Sequence, residues 1–366
     1  MLEIELLQMS LGVRDSLSHA PTIAEWKRMF RFAREQAVVG IMFSGVERLP
    51  KEQTPPKNML MLWLGLTEQQ KRQKQHFDSV MADFAKLLSE EDMQYVVFKG
   101  LAVASKYPNP SLRTMGDIDF YVPPNDFDRC LRLIECKLGV IVNTNDIDKH
   151  YSFYWKGICF EMHYQMETFG CKSHQRYFGK LVEDSMSSEI RYFHADGIAV
   201  AMLNPALDLI LVFKHWMTHF IGEGIGMRQT VDLAVLIDSY KDEIDVAIIK
   251  KNLHAIGYLT AFDAIVAMVE KYFKIQWSSY WVDYNDGFHK KCAAIPHADM
   301  MMNEVLRNGN FGRSDYKYKF GRMKRFETML RFFRHSFWLL PLAPKEIVCM
   351  LPRRIAISIK AHKNTI

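Results

Sequence analysis

The chain reads as an α+β protein. A small mixed-sheet module at 94–203 is set between an N-terminal helical region at 1–93 and a C-terminal helical region at 204–366. Three observations predict this. Short β-branched and aromatic runs, punctuated by turn dipeptides, begin at Gln94 and end at Asn204-Pro205. On both sides of them, apolar residues recur at helical spacing. A length of 366 residues, 49% of them apolar, is enough for one large or two ordinary domains with a real core.

Each element follows in order. "PTIAEWKRMFRFAREQAVVGIMFSGVERL" has a helical apolar period, with Pro21 suited to a first turn. "KNMLMLWLGLTEQQKRQKQHFDSVMADFAKLLSEED" reads as one long helix or two, its polar middle a solvated stretch. "QYVVF" is a strand ended by Lys99-Gly100, and "LAVASKYP" a short helix stopped at Pro108. "DIDFYV" is a strand closed by Pro123 and Pro124. "NDFDRCLRLIECKLG" is a helix with Asn125 as N-cap and Gly139 at its end. "KHYSFYWKGICFEMHYQM" alternates on both sides of Lys156-Gly157, which predicts a hairpin, and a second strand pair turns at Asp196-Gly197. Four helical segments follow Asn204-Pro205, and the tail from Tyr316 is helical, aromatic and basic. No internal repeat or low-complexity tract occurs.

Charge is close to balance, with 47 Lys/Arg against 42 Asp/Glu, but 13 of those bases and 3 of those acids lie between Arg313 and Lys363. That basic region suits phosphates, nucleic acid or a membrane surface, or is a solvated helical face. Its stretch "YKYKFGRMKRFETMLRFFRHSFW" mixes cations with rings that would stack on bases or pack as core. Cys130, Cys136, Cys159, Cys171, Cys292 and Cys349 form no CxxC pair and no ligand spacing with histidines, so they read as reduced, mostly buried thiols of a cytoplasmic protein. The N-terminus lacks a secretory pattern, and no uncharged apolar run reaches membrane-spanning length. Neither GxxxxGK[ST] nor GxSxG occurs, which excludes Walker-type and nucleophile-elbow readings at motif level.

The run "FKGLAVASKYPNPSLRTMGDIDFYV" carries the chemistry. Residues two apart on a strand face the same way, so Asp117 and Asp119 project together while Ile118 and Phe120 face a core. Two carboxylates so close in a partly buried site do not both stay ionised without cost. A bound Mg²⁺ removes that cost, because it takes carboxylate and phosphate oxygens together. A third acid is expected from another strand. In "CFEMHYQM", Glu161 lies on the polar face, with His163 two residues on. The plain alternative is a solvated sheet face. Upstream, a strand, Gly100 and a short helix leave backbone N–H groups for an anion. Lys99 sits beside that glycine, and Arg113 lies in the loop four residues before Asp117, placed to pair with a phosphate.

This run resembles the uncharacterised bacterial nucleotidyltransferase family of the DNA polymerase beta-like superfamily, with its "KG…R…GDIDhhV" pattern. "FEMHY" is similar to that family's acidic-and-histidine strand, and "KHWMTHFIGEGIGMRQTVDLAVL" to its following helical motif. Together these cover Tyr95 to Leu236. The resemblance implies a small mixed sheet with helices on one side. It implies metal-assisted transfer of a nucleoside monophosphate from a nucleoside triphosphate such as ATP to an acceptor, with Mg²⁺ (or Mn²⁺) as cofactor. The acceptor is left open among a small molecule, a sugar, a protein and an RNA end. Carried over, Lys99 and Gly100 hold the triphosphate, Asp117 and Asp119 ligate metal, and Glu161 is the third carboxylate, as base or ligand. The superfamily's Gly-Gly or Gly-Ser turn is Gly100-Leu101 here, which removes a phosphate contact and opens the alternative of a catalytically weak nucleotide-binding or scaffolding protein. His163 is a ligand, an acceptor contact or a structural histidine.

"FIGEGIGMRQTVDLAVL" follows a helix, so its glycines are no dinucleotide fingerprint. It is a flexible connection, or it presents Arg228 and Asp232, four apart on one helix face, to a nucleotide. His215 and His219 have zinc-compatible spacing, but Trp216, Met217 and Thr218 lie between them with no glutamate, and packing between module and helices is the alternative.

Overall fold

The computed structural model describes residues 1–144, 149–188, 190–222, 224–277, 289–310 and 321–352. The chain divides into two compact units. Unit 1 comprises residues 1–34, 38–168 and 183–211, and unit 2 comprises 35–37, 169–182 and 212–366.

In unit 1, α1 (Leu2–Ser10), α2 (Ile23–Glu35), α3 (Val39–Val46) and α4 (Lys57–Glu90) precede the sheet. Helix α2 starts one residue beyond Thr22, whose N–H and hydroxyl both bond Glu25, at 2.8 and 2.9 Å. Glu25 in turn receives its charge-stabilising contacts at the helix start, where a carboxylate is favoured. Ala37, at φ 55°, separates α2 from α3. Helix α4 is a single helix of 34 residues. Its polar middle is not simply solvated. Gln70 and Lys74 are buried. Gln70 accepts the Gly40 N–H at 3.2 Å and donates to the Leu112 carbonyl, and Lys74 Nζ lies 2.6 Å from Asp78 Oδ2. Buried amide and ammonium groups persist because each is bonded.

The sheet has six strands in the order β3-β4-β2-β1-β6-β5. They are β1 (Val96–Phe98), β2 (Ile118–Tyr121), β3 (His150–Trp155), β4 (Ile158–His163), β5 (Arg191–Ala195) and β6 (Ile198–Met202). It is mixed: β2 runs parallel to β4 and β1 parallel to β6, and the other pairs are antiparallel. Both hairpins form where turn chemistry predicts. Lys156 and Gly157 take φ 48° and 79°, and Asp196 and Gly197 take 45° and 77°, as a two-residue turn of matching twist requires. Helix α5 (Gly100–Ala104) follows β1, and α6 (Pro124–Leu138) follows β2. Pro124 takes the first helical position of α6, so the cap falls at Pro123 and not at Asn125, while Gly139 ends the helix at φ 64°. One face of the sheet packs on α4: Phe84 meets Phe120, Phe160 and Phe153 at 5.1, 4.9 and 6.2 Å between ring centres.

Helix α7 (Lys172–Met186) follows β4, a segment that sequence periodicity left unassigned. Helix α8 (Pro205–Ile221) leads from unit 1 into unit 2. Unit 2 continues with α9 (Met227–Tyr240), α10 (Val246–Ala255), α11 (Leu259–Phe273) and the helices His289–Asn308 and Gly321–Leu339. Along Gly321–Leu339, Phe332, His335 and Leu339 are buried while Phe333 and Phe337 are exposed, so its aromatics are divided between core and surface. The basic segments 311–320 and 353–366 lie outside the described residues.

The expectation of reduced, mostly buried thiols is corrected. Cys171 and Cys349 form a disulfide, with Cα atoms 5.3 Å apart across 178 residues. That separation along the chain leaves no local spacing signal, although the Cα distance is ordinary for a bridge. Among free cysteines, Cys130 is buried and Cys136 exposed. No helix among the described residues is long and apolar enough to cross a membrane.

Candidate functional site

The period of two sorts the sheet into two faces. In register, Asp119 on β2 stands opposite Phe98 on β1 and Glu161 on β4. Ile118, Phe120, Phe160 and Met162 point the other way, into the core beside α4. Asp119 and Glu161 are therefore direct neighbours on parallel strands. Asp117 is the residue before β2 and is half-buried.

Asp119 is buried, and its Oδ1 lies 2.6 Å from Lys99 Nζ and 2.9 Å from His163 Nε2. Burial alone would raise its pKa. The Lys99 charge and the His163 hydrogen bond overcome that and hold the carboxyl well below the usual range. For Lys99, burial works to lower the pKa, but Asp119, then Glu167, with Glu161 adding to them, hold the ammonium above its ordinary value. Lys99 adopts φ 54° and ψ −132°, a conformation that L-residues avoid at a cost of about 1–3 kcal/mol. The strained turn brings the next residue against the Asp117 backbone: a Cβ at Gly100 would sit 3.1 Å from the Asp117 carbonyl oxygen. Helix α5 has only five residues, so its macrodipole is small, and what the turn offers an anion is its first backbone N–H groups.

Glu161 Oε2 lies 3.5 Å from His163 Nε2 and 3.6 Å from His150 Nδ1. The two imidazoles are 4.9 Å apart. On the same β4 face, burial first, and then Glu161, Asp117 and Asp119 in turn, push up the Cys159 thiol. Asp119 and Glu161 are thus register neighbours, and Asp117 is the residue before the same strand. Arg113 is buried just after the short 3₁₀ turn Pro110–Leu112, with Nη1 3.4 Å from the Thr114 carbonyl.

Two features escaped the sequence reading. His150 pairs with His163 across the hairpin. Counting outward from the two-residue turn at Lys156-Gly157 would have found it. Glu167 is fully buried and bonded to Lys149 at 2.8 Å, and no local pattern marks it.

The remaining candidates belong to unit 2. Arg228 and Asp232 are buried on α9, whose first N–H, that of Met227, is capped by Gln36 Oε1 at 2.7 Å, so the glycine-rich connection ends in a fixed helix start. His215 and His219 meet edge to face at 4.5 Å on α8. Among the described residues, neither joins a group of three metal-capable side chains.

Two such groups exist there: His150, Glu161 and His163, and Cys171, His174 and Glu346, each with ligand atoms within 4.8 Å of one another. The residues of the first region fit a divalent cation. Carboxylates on neighbouring strands suit Mg²⁺, and the two imidazoles favour Mn²⁺ over it. A cation at Asp119 would share that carboxylate with Lys99.

No curated protein matches the chain. The crystal structure of an antigenic nucleotidyltransferase-like protein from Paracoccidioides brasiliensis is similar at 11% identity and a TM-score of 0.35, over 53% of this chain and 92% of that one. The family model described as "Uncharacterised nucleotidyltransferase" matches residues 22–274, a span that takes in all of the sheet and both candidate acids on it. The chain belongs to that family, within the DNA polymerase beta-like nucleotidyltransferase superfamily.

Proposed function

We propose that this protein is a nucleotidyltransferase that moves a nucleoside monophosphate from a nucleoside triphosphate such as ATP to a hydroxyl acceptor, using Mg²⁺ or Mn²⁺. One observation carries the reading: Asp119 and Glu161 are register neighbours on parallel strands, on the face opposite the core. When bound, the cation supplies charge neutralisation at the triphosphate and lowers the pKa of an oxygen nucleophile. Asp119, kept ionised by its neighbours, and Asp117 are the proposed ligands. Glu161 is the proposed third carboxylate, placed to ligate or to take the acceptor proton. Lys99 and the Gly100 turn hold phosphate oxygens, and Arg113 is a proposed nucleotide contact. His163 orients Asp119 through its 2.9 Å bond. The use of a nucleoside triphosphate leads us to place the protein in the cytoplasm. The acceptor remains a choice among small molecule, sugar, protein and RNA end.

A second reading has its own support. Lys99 already neutralises Asp119 at 2.6 Å, and Leu101 follows the turn glycine. A protein so arranged would bind nucleotide and transfer slowly, acting as a sensor or scaffold. The test is pyrophosphate release with labelled triphosphates, each divalent cation and a panel of acceptors, for the unaltered chain and for Asp117→Asn with Asp119→Asn. Turnover lost in the double variant supports transfer. Nucleotide binding without pyrophosphate release supports the second reading. Equal metal–nucleotide binding by both proteins ends the assignment.

A further inference from the structure

Unit 2 holds four side chains with metal-ligand chemistry at one point. Cys171 precedes α7 and His174 lies in its first turn, three residues on. Glu346 and Cys349 are likewise three apart, on one face of the helical residues 344–352. Cys171, His174 and Glu346 are buried, and their ligand atoms lie within 4.8 Å of one another. Cys349 joins them through its sulfur, bonded to that of Cys171. His174 Nδ1 is 2.8 Å from Glu346 Oε2. The other Glu346 oxygen accepts the Gly170 N–H, and the Cys171 N–H reaches Oε2 at 3.3 Å. The backbone makes room for the imidazole: a Cβ at Gly257, where φ is 74°, would stand 2.8 Å from His174 Cε1.

We propose that Cys171, His174, Glu346 and Cys349 form a structural Zn²⁺ site when the two cysteines are reduced, so that one cluster has two states. Two thiolates, one imidazole and one carboxylate make a closed tetrahedral set, the pattern of a structural zinc and not of an open catalytic one. Ligands at about 2.0–2.3 Å from a common ion stand roughly 3.3–3.8 Å from each other, so the cluster needs sub-ångström to ångström adjustments on losing its S–S bond. The interconversion balances. A dithiol reductant breaks the S–S bond, is itself oxidised to its disulfide, and leaves two protonated sulfurs. Zinc binding then releases those two protons to solvent. In either state the loop before α7 is tied to the C-terminal helical residues, so the link survives a change of redox conditions.

The experiment uses the full chain, reduced with a dithiol, freed of reductant under nitrogen, loaded with Zn²⁺ and passed over a chelating resin. Expected is retention of about one zinc per chain. Co²⁺ in its place gives sulfur-to-cobalt charge-transfer and tetrahedral bands on the unaltered protein, which needs no variant to fold. Cys171→Ser, Cys349→Ser and Glu346→Gln each weaken retention by at least about 10-fold. Cys136→Ser, at an exposed free cysteine outside both clusters, leaves it unchanged, which ties the signal to the Cys171 cluster and not to any available thiol. Reduced protein that retains no zinc, or a cobalt spectrum without sulfur ligation, overturns the proposal and leaves the disulfide as the cluster's one role.

Discussion

The two metal-capable clusters differ in every property that decides what a metal site is for. On the sheet, Glu161 and His150 are only partly covered, and the neighbours include carboxylates, the half-buried Lys99 and a strained turn. Beside α7, Cys171, His174 and Glu346 are all buried, and their partners are backbone N–H groups and a second sulfur. The first offers one carboxylate and two imidazoles, with the Asp119 carboxylate beside them. The second offers soft donors in a closed set. Reactive metal sites keep an open position, and structural ones do not. One chain thus holds a metal-capable cluster in each of its two units, each with its own ligand types.

The largest effect that would break this contrast is at Asp119. Asp119→Asn is expected to lower nucleotidyl transfer by about 10²–10³-fold, on the scale of losing one preorganised charge-stabilising group. Zinc retention at Cys171 should stay as it was, so a fall in both, measured on the same sample, would show the two sites to be one system. Next is Phe84→Ala, on the opposite face of the sheet. It removes a ring shared by Phe120, Phe153 and Phe160 and should destabilise unit 1 by about 3–5 kcal/mol in urea unfolding, without touching a proposed ligand.

The third test is pH. The depressed pKa of Asp119 means that its contribution is complete above the ordinary carboxylate range and is lost as pH falls through the lowered folded value. Lys99 is the mirror case: its raised pKa gives a contribution complete below the ordinary lysine value, which vanishes as pH rises through the folded one. The difference in urea midpoint between the unaltered chain and Asp119→Asn should therefore be steady near neutrality and shrink on acidification towards about pH 3. A difference that stays constant to that pH would mean that the Asp119 charge is not what the fold uses. The smallest effect is expected at His150. His150→Ala should shift metal preference from Mn²⁺ toward Mg²⁺ by about 10-fold, read as the ratio of half-saturating concentrations in the transfer assay.

How much of this was legible in the residues follows from the range of each signal. The hairpins at Lys156-Gly157 and Asp196-Gly197, the β2 strand and the end of α6 at Gly139 are local, and turn chemistry or periodicity reveals them. The acid pair on "DIDF" is local too. What pairs with it is not. That Glu161 falls beside Asp119, and one residue off would not, depends on a parallel pairing closed by a long crossover. Glu167 reaches Lys99 by electrostatics through the fold, and Cys171 meets Cys349 across 178 residues. The polar middle of α4 misleads for a related reason. Gln70 reads as a surface residue until Gly40 and Leu112, distant in sequence, arrive to bond it.

The alternation along β4 also makes assembly self-checking. Because Phe160 and Met162 face α4 while Glu161 and His163 face away, a slip of one position against β2 would drive a carboxylate and an imidazole into hydrocarbon and strip Phe84 of its aromatic neighbours. A misaligned chain could not hide a faulty reactive surface behind an intact interior. Whatever selects for a well-packed interior in this module selects, in the same act, for correct alignment of its acids.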